Sequence, residues 1–390
     1  MKQLFALGTA RGGTTFFARM MGLNQQVEMA SDPFLPVYRQ FRNHAMKSIS
    51  ELEFDIRQPL SDHYFDDVSI VEKNAIASFE VDNLIDVNEL KRLIFELKDR
   101  MELASKELVS HLDNIDITSG ISYKDLFYKL QDILKIAYSC DNGYIGAKDN
   151  WVIEFLPLLL KVFPDAKFII IVRDPRAAVA SSLGLGNKNP ELVPSMYSFA
   201  RHVRKHMAYA INFTNNPAYS DKIKIIKYED LASSPRDILL SVCNFLDIEY
   251  SSIMLNTEKF RPISGEKWSK HSSFENVPEK GVYTQSIDRW KEKLSSDIIE
   301  FVELICGPEM EYFGYKTTLF NRLNISPKVF DFALLDNQSP FEWRNEYASI
   351  YSEISKDFFR YQLINLRGRE IDPSVLEKNF ISSSVFDRLK

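Results

Sequence analysis

The feature that most constrains the fold lies at the start of the chain. Lys2–Leu7 is a short apolar run, and it leads into Gly8-Thr9-Ala10-Arg11-Gly12-Gly13-Thr14-Thr15. Thr14–Leu23 then carries a helical pattern, and a second apolar stretch, Val27–Ala30, ends at Ser31-Asp32-Pro33. Strand, glycine-rich turn, helix and strand within some thirty residues make a βαβ unit, which commits the chain to a parallel sheet with helices packed against it. Adjacent glycines let the backbone curl with its amides pointing inward. The helix that follows offers free N–H groups and the positive end of its dipole. Together with the Thr14 and Thr15 hydroxyls, they form a cradle for an anion.

The spacing Gly8…Gly13 and the position of Thr15 fit the nucleotide-triphosphatase loop G-x-x-x-x-G-K-[ST], but Thr14 stands where that loop has its lysine. That lysine serves the β- and γ-phosphates of a Mg-triphosphate. A loop of this geometry with its cation moved to Arg11 suits a monophosphate or diester-like end instead. A second candidate anion site follows Lys167–Val172, a β-branched run that reads as a strand buried on both faces. Arg173 ends the strand, Asp174 is a candidate N-cap and Pro175 takes the first helical position. Ser181 lies seven residues beyond Asp174, about two helical turns, and so returns to the same face as Arg173. In open α/β sheets, ligands sit beyond the carboxyl ends of the strands, so the two motifs imply a nucleotide with phosphates at two ends of its ribose.

These residues resemble a known family. Ala10-Arg11-Gly12-Gly13-Thr14-Thr15 is similar to the P-[RK]-S-G-T-T loop of sulfotransferases that use 3′-phosphoadenosine-5′-phosphosulfate (PAPS). Arg173-Asp174-Pro175-Arg176-Ala177…Ser181 resembles their 3′-phosphate motif. Lys227-Tyr228-Glu229-Asp230-Leu231 with Pro235 and Phe245-Leu246 resembles their third signature. Lys148-Asp149, Phe163-Pro164-Asp165-Ala166-Lys167, Arg289-Trp290 and Phe313-Gly314-Tyr315 are similar to the tyrosylprotein sulfotransferase branch and its bacterial relatives.

The resemblance implies that Arg11, Gly12, Gly13, Thr14 and Thr15 hold the 5′-phosphosulfate. Phe16 and Tyr228 then lie beside the adenine, Arg173 and Ser181 grip the 3′-phosphate, and Lys280 and Arg289 belong to a late loop closing on the nucleotide. It also implies PAPS as co-substrate, 3′,5′-adenosine bisphosphate as product and no metal. Asp32 falls where the family places a catalytic Glu and is the candidate general base. Arg11 and Lys148 are the candidate cations at the leaving group. The chain departs from the family pattern with Gly12 for the usual Ser or Thr, Phe16 for a Trp and Leu185 for an Arg.

The rest of the chain fills in around this core. Glu89–Leu112 and Tyr123–Ala137 repeat apolar residues at helical spacing, so residues 36–142 read as a helical insertion on the acceptor side. Residues 1–35 and 143–316 form the nucleotide-binding core, and residues 317–390 a mostly helical extension that either packs back on the core or meets a partner, a second copy of the chain included. The expected fold class is α/β: a P-loop-like parallel sheet flanked by helices. Arg201, Arg204 and Lys205 share one helix and read as a solvated face, or as a contact for an anionic acceptor. His63, in the insertion, is a second candidate base.

Composition bounds the partners. With 48 Lys and Arg against 54 Asp and Glu, the net charge is −6, which argues against a dedicated nucleic-acid binder. Three cysteines, far apart, fit a reducing compartment and no metal motif. No apolar run reaches a membrane-spanning length, and Met1 leads at once into a core strand, so neither a signal peptide nor a transmembrane segment is expected and the chain reads as cytoplasmic. The expected activity is sulfuryl transfer to the hydroxyl of a glycan, lipid or metabolite, with a glycan or small-molecule alcohol favoured. The alternatives are a peptide tyrosine as acceptor, a P-loop kinase, or a nucleotide-binding regulator without turnover.

Overall fold

The computed structural model describes residues 1–49, 67–139, 143–186, 196–260, 284–319, 350–366 and 370–390. Seven strands are present among them: β1 (Lys2–Gly8), β2 (Val27–Ser31), β3 (Leu84–Ile85), β4 (Ile121–Ser122), β5 (Tyr144–Asn150), β6 (Lys167–Val172) and β7 (Ile223–Lys227). Five form one sheet in the order β2-β5-β1-β6-β7, every pair parallel. Successive side chains on a strand point to opposite faces, and here both faces are apolar. Phe5 and Leu7 of β1 join Phe168, Ile170 and Val172 of β6 in one cluster. Leu4 and Ala6 join Ile169 and Ile171 in the other. Such a sheet is stable only when covered on both sides.

One cover contains α1 (Thr14–Met21), whose Phe17, Met20 and Met21 enter the second cluster. The other is larger. It includes the insertion helices α2 (Leu35–Ile49), α3 (Asp67–Ser78), α4 (Val87–Ala104) and α5 (Tyr123–Tyr138), followed by α6 (Leu156–Val162), α7 (Pro175–Gly186) and α8 (Met196–Thr214). On the first side, α9 (Tyr228–Ser233) and α10 (Pro235–Leu246) follow β7. Short turns α11 (Gln285–Asp288) and α12 (Trp290–Lys293) precede α13 (Ser296–Tyr312), and the chain ends in α14 (Ile350–Asn365), α15 (Pro373–Phe380) and α16 (Ser383–Leu389). Apolar residues of the insertion, the sheet and the end of the chain belong to one continuous cluster.

Two expectations change. The Glu89–Leu112 periodicity predicts one helix, but α4 stops at Ala104 and a 3₁₀ stretch, Lys106–Asn114, continues it. The break lets Ser105 turn inward: its Oγ accepts from Ser31 N and donates to Ser31 O, both at 3.0 Å, at the end of edge strand β2.

The second correction concerns α8. Arg201, Arg204 and Lys205 are not a solvated face; all three are buried. The helix lies between the sheet and the C-terminal helices, so nearly every side of it is covered. Arg204 is paired with Asp357 of α14, and Lys205 meets Glu154 at 2.7 Å. Arg201 Nη1 lies 3.3 Å from the Tyr197 hydroxyl. Residues 317–390 therefore pack back on the core in their described part. Lys280, His63 and Cys140 lie outside the described residues, as does the Leu185 side chain.

Candidate active site

All five strands of the large sheet deliver their carboxyl ends to one edge, and most of the candidate residues lie there. β1 gives Gly8, and the turn after it is closed by Gly12 N donating to Thr9 O at 3.0 Å. A Cβ on Gly12 would fall 2.9 Å from that carbonyl. Arg11 and Gly13 take left-handed backbone angles, φ 61° and 90°. Gly13 has no side chain to cap α1, whose first hydrogen bond runs from Phe17 N to Gly13 O at 3.0 Å. The amides of Thr14, Thr15 and Phe16 thus begin the helix ahead of its own hydrogen bonding. Thr14 Oγ1 donates to Asn150 Oδ1 at 2.9 Å, tying the loop to the end of β5. The Tyr228 ring lies against Gly13, where a Cβ would fall 2.1 Å from its Cδ2. Phe16 is half-buried, its ring edge-on to Phe260 at 6.0 Å.

The second motif meets the first. Arg11 Nε donates to Ser181 Oγ at 2.9 Å, and Arg173 Nη1 donates to Arg11 O at 2.5 Å. The Arg173 guanidinium also lies 4.2 Å from the Tyr228 ring centre. Asp174 caps α7 through Arg176 N at 2.9 Å. Asp174 N donates to Glu229 Oε1 at 3.0 Å, and Glu229 Oε2 accepts from Tyr315, so the third signature fixes the turn that aims Arg173. The late loop arrives as well: Ser286 O accepts from Arg173 Nη2 at 3.0 Å and Ser286 Oγ pairs with the Tyr228 hydroxyl at 2.7 Å. Arg289, three residues on, is half-buried between α11 and α12.

Among the described residues this corner gathers positive charge. Burial, and then the charge of Arg173, pull the Arg11 guanidinium down to about 10. Arg173 Nε is a buried donor with no hydrogen-bond partner among the described residues. Two cations crowded together with a donor to spare fit a bound polyanion.

Asp32 lies at the end of β2, on the same edge. Its backbone is left-handed, φ 50°, and is held by a bond from Asp32 N to Lys148 O at 2.6 Å. Oδ1 accepts from Asn150 N at 3.1 Å, and Oδ2 is paired with the buried Lys148 amine. Lys148 is therefore on Asp32 in this structure. The sequence reading missed Arg100 of α4, which donates from Nε to Asp32 O at 2.9 Å and brings Nη2 within 3.8 Å of Oδ2. It also missed Trp151, left-handed at φ 73° and set against His202. No local pattern marks Arg100. Left-handed non-glycine residues are rare, and Arg11, Asp32 and Trp151 follow three of the strand ends, the kind of place where backbone strain collects at functional sites. Asp149 is buried beneath, its Oδ1 accepting from Phe34 N at 3.3 Å. Burial, and then the charge of Asp32, push its carboxyl up to about 7. Among the described residues no group of three or more His, Cys, Asp or Glu is placed to hold a metal ion, and no helix is long and apolar enough to cross a membrane.

A sequence model of the sulfotransferase family matches residues 3–252, well over half of the chain. The chain belongs to the sulfotransferase family. Among its curated relatives, this sulfotransferase is 25% identical over 206 residues to a putative protein-tyrosine sulfotransferase of Caenorhabditis briggsae, covering 52% of this chain and 68% of that one. It is 27% identical over 224 residues to protein-tyrosine sulfotransferase 1 of Danio rerio, covering 57% of this chain and 62% of that one. Among solved structures, it aligns with the sulfotransferase domain of the Synechococcus olefin synthase at 17% identity and a TM-score of 0.47, over 82% of this chain and 96% of that one. The sulfotransferase domain from the curacin biosynthetic pathway aligns at 15% identity and a TM-score of 0.45, over 81% and 99%.

Proposed function

We propose that this sulfotransferase moves the sulfuryl group of PAPS onto the hydroxyl of a glycan or small-molecule alcohol, with Asp32 as general base. The observation that carries the reading is the Arg11–Ser181 hydrogen bond at 2.9 Å. It joins the loop after β1 to the helix after β6, so that Arg11 and Arg173 serve one ligand with two anionic ends. In this reading Gly12, Gly13, Thr14 and Thr15 hold the 5′-phosphosulfate, and Arg173 and Ser181 the 3′-phosphate. Phe16 and Tyr228 flank the adenine, and Lys280 and Arg289 close over it.

Bound PAPS supplies the activated sulfuryl group and a phosphate leaving group. The chain supplies position and charge. Asp32 takes the acceptor proton as the acceptor oxygen bonds to sulfur and the bridging S–O bond breaks. The departing electron pair stays on phosphate, where Arg11 and Lys148 meet the growing charge. The products are a sulfate ester, 3′,5′-adenosine bisphosphate and one proton, which Asp32 returns to solvent. The insertion is proposed to shape the acceptor side, because Arg100 and Ser105 reach Asp32 and Ser31 from it. A cytoplasmic setting is proposed from the buried free thiols of Cys243 and Cys306. A second reading, a peptide tyrosine as acceptor, is favoured by the names of the curated relatives.

Thermal shift with 3′,5′-adenosine bisphosphate against Mg-ATP tests the nucleotide. Stabilisation by Mg-ATP alone would sink the proposal, and stabilisation by the bisphosphate without sulfate transfer points to a regulator. Asp32→Asn is expected to lower turnover about 10²–10⁴-fold with bisphosphate affinity retained. Mass spectrometry of extracts incubated with labelled PAPS identifies the acceptor.

A further inference from the structure

The geometry points to Arg100 as a positioning residue that keeps Asp32 aimed while Lys148 serves the leaving oxygen. The inference rests on the reading of Asp32 as base. Asp32 and Lys148 have opposite duties in that reading: one draws a proton from the acceptor, the other meets negative charge on the far side of the sulfur. Yet the Lys148 amine is paired with Asp32 Oδ2. An amine that remains there weakens the base and leaves Arg11 alone at the bridging oxygen, so in this reading Lys148 turns away from Asp32 for transfer to proceed. Asp32 then needs another partner, and the structure holds one in place.

Arg100 is suited to this by its chemistry and its anchorage. Its guanidinium stays charged at every working pH. The Nε bond to Asp32 O at 2.9 Å supports the left-handed backbone of Asp32, and Nη2 lies 3.8 Å from Oδ2. Five residues on, Ser105 locks the end of α4 to Ser31 through both of its hydroxyl bonds, so the helix cannot drift from the strand it serves. Lys148 and Asp149 of β5 and Arg100 of α4 are the charged groups that face Asp32. With Lys148 turned away, Arg100 and Asn150 N remain to hold the carboxylate.

The test follows 35S passing from PAPS to 2-naphthol and to water, with melting temperature and 3′,5′-adenosine bisphosphate affinity measured in parallel. Arg100→Gln should lower kcat about 10- to 100-fold, the scale of a misplaced reacting group, while KM for PAPS, melting temperature and bisphosphate affinity hold. Arg100→Lys should restore part of kcat, because it keeps the charge and loses the Nε bond. An unchanged kcat in both variants, with Asp32→Asn inactive, overturns this inference alone. An Asp32→Asn protein of normal turnover overturns the base reading and this inference with it.

Discussion

Half-buried Arg11 and buried Arg176 lie in neighbouring parts of the molecule, yet their surroundings treat them in opposite ways. Burial works against the charge of Arg176, but the Asp174 and Glu303 carboxylates outweigh it and hold the guanidinium above its ordinary value. Glu303 meets it at 2.6 Å and also accepts from Thr318 N at 2.9 Å and Leu319 N at 2.8 Å. The Trp290 ring centre lies 3.9 Å from it. Arg11 has a hydroxyl and a second arginine in the corresponding places, and its pKa falls to about 10. Carboxylates of the fold surround Arg176; beside Arg11 the described residues place a hydroxyl and a second arginine. On the proposed reading, the difference separates a residue the fold needs from one the ligand needs.

The comparison can be broken at either end. Arg176→Met should have the largest effect on folding. It leaves Glu303 and Asp174 buried without their cation, a change that typically costs about 3–5 kcal/mol, read from the denaturation midpoint at constant m. Arg11→Met should instead weaken 3′,5′-adenosine bisphosphate binding by about 2–5 kcal/mol, roughly 30- to 4,000-fold by calorimetry. If Arg11→Met unfolds the chain as readily as Arg176→Met, the two residues do not differ in kind.

Asp149 offers a pH test of the same contrast. Its folded pKa of about 7 lies above the unfolded carboxyl value, so the folded state binds the extra proton between about pH 4 and 7. Its contribution therefore makes stability fall as pH rises through that window, by up to about 1.4 kcal/mol per pH unit. Asp149→Asn keeps an acceptor for Phe34 N and should flatten that slope in denaturation curves taken across the range. The smallest expected effect is the gain on relieving the crowded cations. Arg11→Met should be about 0.5–2 kcal/mol more stable than the parent when no nucleotide is present, the usual scale of a stability–function trade-off. A loss there would mean that Arg11 supports the fold.

The sequence made the ends of the sheet strands legible, because their chemistry is local. The glycine turn after β1 and the Arg-Asp-Pro turn after β6 each carry their meaning within a few residues, and β6 itself, Lys167–Val172, has the predicted bounds. What was hidden depends on neighbours distant in sequence. The charges on α8 read as a solvated face because the sequence does not say that Asp357 and Glu154 come to meet them. The end of α4 read as continuous because the reason to break it is Ser31, 74 positions away. Arg100 sits on the polar side of an amphipathic helix, where nothing local distinguishes it from any exposed arginine.

The Ser105 contact has one more consequence. β2 is an outer strand of the large sheet, and an uncovered outer strand is a template on which other chains can add. With one hydroxyl, Ser105 satisfies both the N–H and the C=O of Ser31, the last residue of that strand. The insertion therefore closes the end of β2 against the addition of another strand at Ser31. A version trimmed of the insertion would leave that N–H and C=O without their Ser105 partner.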